Sequence, residues 1–300
     1  MNYRHRYHAG NFADVLKHAV LLRLIAALQA KEKGILYLDT HAGRGGYDLT
    51  AAASGASQAR EPEWPAGVGR IWTRMDLPEE IADYVAAVRD FDAAGRLREG
   101  IADGAAEVAA GPRFYPGSPW LAVARLRPQD RAMVCERHPE EAAALAEEFA
   151  GRRRVSAQLM DGYVAVKAAL PPPERRALVL IDPPFESADE WAKIVQAVRD
   201  GLARLPGGTF AVWYPLTARA RVDSFYRELL ALSDLPPCLT VELLIGGEEA
   251  GLKLWGCGVL VINPPWGLDR SLDRMARWLG PVMAQGAGAR GGVYWLVPES

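Results

Sequence analysis

Long hydrophobic runs and an excess of charge of either sign are both missing from this chain of 300 residues. Its most apolar stretch, residues 19–28, is broken by Arg23 and is shorter than the run of about 20 apolar residues that crosses a bilayer. The first ten residues, MNYRHRYHAG, are polar and basic and lack the apolar centre of a signal peptide. We therefore expect a cytoplasmic protein that does not contact a membrane.

Cysteine is scarce, and its spacing argues against a metal site. Cys135, Cys238 and Cys257 lie far apart and show no zinc-site spacing. Two of them lie in apolar segments of strand type, which suits buried thiols in a reducing compartment. His5 and His8 are the best remaining metal candidates, but no cysteine or carboxylate cluster accompanies them. We expect no bound metal.

Apolar segments of strand length alternate with helical segments along most of the chain. Half of the residues are hydrophobic and 24% are charged, which suits a single domain with a sizeable core. Continuous apolar strands alternating with helices predict an α/β fold with a parallel sheet covered on both faces. We predict strands at residues 35–39, 131–136, 155–161, 177–182 and 209–215, and helices at 138–150, from 162, 188–204 and 218–232. Strands at 239–245 and 256–263, separated only by a loop, predict an antiparallel edge.

Three features organise the first half of the chain. Asn11 is a good helix cap, Asp14 suits the positive helix end, and Gly34 is predicted to end that helix. Residues 50–112 are rich in Ala, Gly and Glu and contain no strong strand, which predicts an inserted helical subdomain. Ser118 followed by Pro119 predicts the next helix start, with the serine as the cap.

Ligands of parallel sheets bind at the carboxyl ends of the strands, so the residues there are informative. The turn THAGRGG, residues 40–46, is Gly-rich but matches neither a dinucleotide fingerprint nor a P-loop. Glu136 ends the next strand and can accept both hydroxyls of a ribose, and the insertion explains its unusual distance from the turn. Asp161 precedes Gly162 and can accept a hydrogen bond from an exocyclic amine, or it is an ordinary helix cap.

The stretch LIDPPF, residues 180–185, suits chemistry on an aromatic amine, whose lone pair is delocalised into its ring. The Asp182 carboxylate and a backbone carbonyl of the turn could hold the amine so that the lone pair turns toward an electrophile. The prolines stiffen the turn, and the Phe185 ring could stack on a base swung out of its helix. A tight structural turn is the alternative. VINPPW, residues 261–266, repeats the pattern, so either copy, both or neither could be active.

The order of these motifs resembles the class I S-adenosylmethionine-dependent methyltransferases that modify amino groups. The strings YRHRYHAGNFADVLKH, LYLDTHAGRGGY, FYPGSP, DGY, LIDPPF, WYP and VINPPW together resemble the bacterial ribosomal large-subunit methyltransferase J family over essentially the whole chain. The resemblance implies a Rossmann-like sheet, S-adenosylmethionine as cofactor, and methylation of N6 of one adenine in 23S ribosomal RNA.

The same resemblance assigns roles to residues of this chain. It implies that Asp182 is the catalytic acceptor, and that Tyr3, Pro183 and Phe185 contact the target adenine. Residues 1–33 are expected to close the cofactor site. VINPPW is expected to be a structural turn toward the sheet edge, away from the cofactor. The implied cofactor-binding residues are His18, His41, Ser118, Glu136, Asp161 and Gly162.

Contacts to RNA are less defined by the sequence. Lys17 could meet the cofactor carboxylate or an RNA phosphate, or it could be solvated. Because the net charge is −2, RNA binding would require a local basic patch. The candidates are Arg4 with Arg6, residues 152–154, and Arg175 with Arg176. We expect a monomer that binds 23S ribosomal RNA.

Rival functions stay open at this point. A DNA adenine-N6 methyltransferase shares the chemistry but usually needs a target-recognition region. The Ala-, Gly- and Glu-rich sequence of the insertion does not indicate such a region. A protein-glutamine methyltransferase prefers Asn where this chain has Asp182. A catalytically silent RNA-binding protein on the same fold would not need Asp182 and Phe185. A dehydrogenase is disfavoured because the dinucleotide fingerprint is absent.

Overall fold

The computed structural model describes residues 7–50, 61–101 and 111–299. The predicted adenine contact Tyr3 and the basic pair Arg4 and Arg6 lie outside these residues. An eight-stranded sheet of order β5-β4-β1-β6-β7-β9-β8-β10 runs through the protein. Its strands are β1 (Leu36–Asp39), β4 (Arg131–Glu136), β5 (Val155–Leu159), β6 (Ala177–Ile181), β7 (Thr209–Leu216), β8 (Cys238–Leu244), β9 (Gly256–Ile262) and β10 (Arg290–Val297), while β2 (Gly46–Asp48) and β3 (Phe114–Pro116) form a separate antiparallel pair.

Helices cover both faces of the sheet, as predicted. They are α1 (Phe12–Gln29), α2 (Glu79–Arg98), α3 (Ser118–Val123), α4 (Pro139–Glu148), α5 (Gly162–Ala169), α6 (Glu190–Arg204), α7 (Arg219–Leu230) and α8 (Leu268–Val282). One hydrophobic cluster lies between the sheet and α1, α2, α3, α4 and α8, and a second lies between the sheet and α5, α6 and α7. Alternate residues of β1 enter different clusters, Tyr37 the first and Leu36 and Leu38 the second, because side chains of a strand alternate between faces.

Strands β5, β4, β1, β6 and β7 are parallel, which confirms the predicted parallel sheet. The late strands are antiparallel, as predicted, but β9 does not lie at the edge: it pairs with both β7 and β8. The edge is formed by β10, which the sequence analysis did not predict. A Cβ at Gly291 would lie 2.0 Å from the Ala276 carbonyl oxygen, so α8 packs directly on this glycine. Packing against α8 therefore stabilises β10, whose own sequence only weakly indicates a strand.

The N-terminal helix begins as predicted but ends early. The Asn11 side-chain oxygen accepts hydrogen bonds from the backbone nitrogens of Ala13 and Asp14. The helix ends at Gln29, so the predicted end at Gly34 is wrong. A Cβ at Gly34 would lie 2.1 Å from the carbonyl oxygen of Gln129, so the glycine is needed for a close backbone approach instead.

Ser118 does not cap α3, contrary to the prediction. Gly117 is the cap residue, and no side chain makes a capping hydrogen bond there. The Ser118 hydroxyl instead donates to the Asp39 carboxylate over 2.7 Å. The local sequence predicts that the Ser118 hydroxyl caps the helix, but it binds the buried carboxylate at the end of β1 instead.

The VINPPW turn and the DPPF turn lie at opposite ends of the strands. Because β9 runs antiparallel to β7, its carboxyl end lies where the parallel strands begin. The Asn263 side-chain nitrogen donates to the carbonyl oxygens of Pro206 and Gly208, each over 2.8 Å. These hydrogen bonds support the structural interpretation, although β9, the strand that leads to the turn, lies inside the sheet and not at its lateral edge.

Among the residues with described coordinates, every helix is too short or too polar to cross a membrane.

We expect Asn263→Ala to lower the free energy of unfolding by about 2 kcal/mol, from two lost hydrogen bonds and a backbone forced into the left-handed region. Asn263 has a φ of 51° in the structure, a conformation that glycine adopts without strain. Asn263→Gly should therefore cost less than Asn263→Ala. Urea unfolding of both variants is the measurement, and an alanine variant as stable as the wild type would contradict the proposed role.

Candidate active site

The carboxyl ends of the parallel strands open into a cleft of about 1090 Å³. The loops that follow β1, β4, β5, β6 and β7 line it, together with the first turns of α1. Tyr3 is the one predicted site residue outside the described residues. The other nine all line the cleft: His18, His41, Ser118, Glu136, Asp161, Gly162, Asp182, Pro183 and Phe185.

Glu136 is held in place by two backbone groups. One carboxylate oxygen accepts from the Gly43 nitrogen over 2.9 Å, and the other accepts from the His138 nitrogen over 2.7 Å. Each carboxylate oxygen has a second acceptor position. Glu136 therefore ties the Gly-rich turn to the end of β4 and keeps capacity to accept from ligand hydroxyls.

Asp161 and Gly162 serve the start of α5 and also line the cleft. One Asp161 oxygen accepts from the Tyr163 nitrogen over 2.9 Å, so the helix-cap interpretation is correct. Its other oxygen lies 3.9 Å from the Arg137 guanidinium. A Cβ at Gly162 would lie 1.9 Å from the Thr40 carbonyl oxygen, so only glycine lets α5 begin against the loop after β1.

His41 is neutral near neutral pH, and one tautomer is favoured. Burial lowers the pKa of its ring to about 4. The Thr40 hydroxyl donates its single hydrogen to the Leu180 carbonyl oxygen, so its oxygen accepts from His41 Nδ1 at 2.8 Å. The proton is then on Nδ1, which leaves Nε2 as the acceptor atom of the ring.

Lys17 is the central cation of the cleft, which the sequence analysis left open. Its Nζ lies 2.6 Å from Asp182 Oδ2 and 2.8 Å from Asp14 Oδ1, and its side chain is 6% exposed. Burial by itself would lower the pKa of Lys17, but the two carboxylates overcome this and hold that pKa well above its usual value. The solvated interpretation is therefore wrong. The local signal was Asp14, one helical turn before Lys17.

Asp39 is a further buried carboxylate beneath the cleft that the sequence analysis did not assign. Its Oδ2 accepts from the hydroxyls of Tyr37 and Ser118, each over 2.7 Å, and its Oδ1 accepts from the backbone nitrogen of His41 over 3.3 Å. Burial raises the pKa of Asp39 to about 6. Asp39 thus joins β1, the Gly-rich turn and α3, and its place at a strand end was the available signal.

An aromatic wall stands beside the DPPF turn. Phe185 has a φ of 51°, so the turn is sharp. The Phe185 ring lies 4.8 Å from the Trp191 ring and 5.7 Å from the Trp213 ring, between centroids. Both tryptophans also line the cleft. The motif WYP contains Trp213, but the sequence alone does not predict that either tryptophan lies in the site.

The described basic clusters lie away from the cleft. Residues 152–154 precede β5, and Arg175 and Arg176 precede β6, which puts them at the amino ends of the parallel strands. Arg176 donates to the Leu28 carbonyl oxygen over 2.6 Å, and Arg152 lies 4.7 Å from the centre of the Trp120 ring. Neither described cluster therefore lines the cleft, and their contact with RNA phosphate stays a prediction.

We expect the stability of the protein to reflect the titration of Asp39. The pKa of Asp39 is near 6 in the folded state and near 4 in the unfolded state. At a pH between these two values, Asp39 is protonated in the folded protein and ionised in the unfolded protein. Its contribution is therefore most favourable below pH ~4 and is lost as the pH rises through ~6, a change of about 3 kcal/mol. Asn keeps an acceptor oxygen but does not titrate.

The measurement is urea unfolding of the wild type and of Asp39→Asn across this pH range. The variant should gain stability relative to the wild type as the pH rises. Two parallel curves would show that Asp39 does not titrate there.

Comparisons with known proteins match nearly the whole chain to one family. A family model described as "Ribosomal RNA large subunit methyltransferase D, RlmJ" matches residues 32–297. Two proteins named "Ribosomal RNA large subunit methyltransferase J" align with all of this chain over their full length. The one from Haemophilus influenzae is 37% identical over 299 residues, and the one from Escherichia coli is 36% identical over 300 residues.

A solved structure has the same fold. Protein LPL1258 from Legionella pneumophila superimposes with a TM-score of 0.79 at 30% identity, covering 96% of this chain and 97% of its own. The predicted α/β sheet with helices on both faces and the resemblance drawn from the motifs are both confirmed. This chain belongs to the RlmJ family of ribosomal RNA large subunit methyltransferases.

Proposed function

We propose that this protein transfers a methyl group from S-adenosylmethionine to N6 of one adenine in 23S ribosomal RNA. Family membership and the names of the relatives support the substrate class. The observation that carries the proposal is the position of Asp182. It directly follows the central strand β6, is fixed by Lys17, and lies between the carboxylates at the ends of β4 and β5 on one side and the aromatic wall on the other.

The hydrogen-bond acceptors of the cleft fit the proposed cofactor. Glu136 and Asp161 are carboxylates at the ends of adjacent parallel strands, which suits ribose hydroxyls and an adenine amine. The neutral His41 ring adds an acceptor. The volume of about 1090 Å³ exceeds the usual ligand pocket and allows room for a nucleoside as well. When bound, S-adenosylmethionine would supply a methyl group made electrophilic by its sulfonium centre.

Asp182 would orient the attacking amine. Its Oδ2 is taken by Lys17, so Oδ1 remains to accept an N–H of the target adenine. The Pro183 carbonyl would accept the second N–H, which turns the nitrogen lone pair toward the methyl group. The proton released from nitrogen leaves to solvent during or after transfer. Asp182 thus acts mainly by holding the nucleophile in a reactive geometry.

The aromatic wall would receive the target base. Phe185 is proposed to stack on the adenine after it leaves its helix, with Trp191 and Trp213 keeping the Phe185 ring in position. Tyr3 is proposed to contact the same base from the N-terminal tail. The start of α1 lines the cleft, so the tail joins the protein beside the site.

The insertion is proposed to brace the segment that closes the site. Glu63, from the insertion, accepts from the Asn11 side chain over 2.9 Å and lies 2.9 Å from His8 Nδ1. The Val68 nitrogen donates to the Gly10 carbonyl oxygen over 2.8 Å. These contacts fasten residues 8–11 to the insertion directly before α1, which supports a positioning role for residues 50–112.

The first experiment offers labelled S-adenosylmethionine with 23S RNA, 16S RNA, duplex DNA and protein in parallel, followed by nucleoside digestion. We expect N6-methyladenosine from 23S RNA alone. Label in DNA would favour a DNA adenine methyltransferase. No label on any substrate, with cofactor still bound, would favour a silent RNA-binding protein.

Asp182→Ala should lower the rate of methyl transfer by at least about 10³-fold, because it removes the acceptor that orients the amine. Cofactor affinity, measured by calorimetry, should stay within a few-fold of the wild type, because the implied cofactor residues follow other strands. Full activity in this variant would refute the site assignment.

Lys17→Met should lower the free energy of unfolding by about 3 kcal/mol, because it leaves buried carboxylates without their cation. The double variant Lys17→Met with Asp14→Asn should recover part of this stability. It should still transfer methyl groups slowly, because Asp182 stays without the ammonium that orients it. Near-normal activity of the stable double variant would show that Lys17 serves folding alone.

A further inference from the structure

The sheet order divides the cleft into two unlike halves. β1, β4 and β5 lie on one side of β6 and contribute the implied cofactor residues, such as Glu136 and Asp161. β7 and β9 lie on the other side. The residues there come from the end of β7, the first turn of α7 and the loop before β9, and they include Trp213, Arg221 and Lys253. This second half has no assigned ligand beyond the target base itself.

Most cations that line the cleft already have carboxylate partners. Lys17 lies between Asp14 and Asp182, Arg44 lies 2.6 Å from Glu141, Lys193 lies 3.0 Å from Asp189, and Arg137 lies 3.9 Å from Asp161. Arg221 and Lys253 differ. Both are exposed, and no carboxylate of the described ranges 7–50, 61–101 and 111–299 lies within ion-pair distance of either. Their charges are therefore available to an external anion.

Carboxylates outnumber Lys and Arg side chains among the other residues that line the cleft, so the rest of the lining is net negative and would repel a polyanion. Glu140, Glu141 and Glu186 line the cleft on the cofactor side and beside the DPPF turn. A flipped base leaves its sugar and phosphates at the mouth of the pocket that receives it. With the base beside Phe185 and Trp213, the neighbouring phosphates would face the β7 and β9 side, where Arg221 and Lys253 lie.

The start of α7, which carries Arg221, is fixed to the sheet by a buried network. The Arg219 guanidinium donates to both Glu242 oxygens, over 2.8 and 3.0 Å. The same Glu242 accepts from the hydroxyls of Tyr214 and Tyr226, over 3.1 and 3.0 Å. Glu242 is 5% exposed, so its bonds to the two tyrosines are shielded from water, whereas the Arg219 side chain is 40% exposed. Arg221 is thus presented from a rigid element.

We propose that Arg221 and Lys253 form a phosphate-binding subsite for the RNA strand next to the target adenine. The inference rests on the proposed function, since it takes RNA as the substrate. It adds where the strand crosses the protein: over the β7 and β9 half of the cleft. The contacts are electrostatic and independent of sequence, so they position the strand and do not select the base.

The test compares two double variants of the full-length protein. Arg221→Ala with Lys253→Ala removes the subsite. Arg227→Ala with Lys31→Ala is the matched control, because Arg227 is exposed on α7 outside the cleft lining and Lys31 is exposed beyond the end of α1. The probe is a labelled 12-nucleotide single-stranded RNA with one adenosine, bound at several salt concentrations. Calorimetry with S-adenosylmethionine checks that both variants are folded.

Each single-strand phosphate contact makes the slope of log affinity against log salt concentration more negative by roughly 0.7. The slope of the subsite variant should therefore be less negative than that of the wild type by about 1.4. At about 0.1 M salt this corresponds to a loss of affinity of about 25-fold. In methyl transfer, KM for RNA should rise while kcat stays close to wild type. The control variant should match the wild type in all three respects.

The outcomes separate this inference from the proposed function. Equal affinity and slope in the two double variants would overturn the subsite, even if the wild type methylates RNA. A salt-dependent loss confined to the subsite variant would support it, even if the wild type transfers no methyl group and the proposed function fails. Absence of RNA binding by the wild type would overturn the subsite as well.

Discussion

The ion pair between Lys17 and Asp182 connects the N-terminal helix to the turn that carries the candidate catalytic carboxylate. A buried ammonium is costly unless its partners compensate for the lost water, and here Asp14 and Asp182 lie on two sides of it. The orientation of Asp182 therefore depends on how α1 packs. The packing of α1 depends in turn on Asn11 at its start and on the inserted residues that hold the segment before it.

Strand direction explains why two nearly identical turns lie at opposite ends of the strands. DPPF follows a parallel strand and opens into the cleft, whereas the turn at Asn263 follows an antiparallel strand and closes the opposite edge. Both turns place a residue in the left-handed region, Phe185 in one and Asn263 in the other. The local chemistry of the two turns is alike, and the direction of the preceding strand decides which of them opens into the cleft.

The contacts that the local sequence predicts for a residue are kept at some positions and replaced at others. Ser118 is a typical cap residue, yet its hydroxyl binds Asp39 beneath the cleft. Gly34 resembles a helix end, yet it allows β1 to approach the segment before β4. Asp161 keeps its local role as a helix cap and still lines the cleft. In the first two cases a buried partner from a distant segment replaces the local one.

The sequence alone determined the alternation of strands and helices, the family, and the strand-end residues, because these depend on short patterns and on motifs such as DPPF. All nine of its site residues within the described ranges line one cleft, since the carboxyl ends of parallel strands meet at one edge. Only the tertiary structure decided the pairing of Lys17 with Asp182, which are 165 residues apart, and the place of β9 inside the sheet. It also decided that the basic clusters around Arg152 and Arg176 face away from the cleft. Strand order and strand direction come from packing between distant segments, so no local pattern could reveal these contacts.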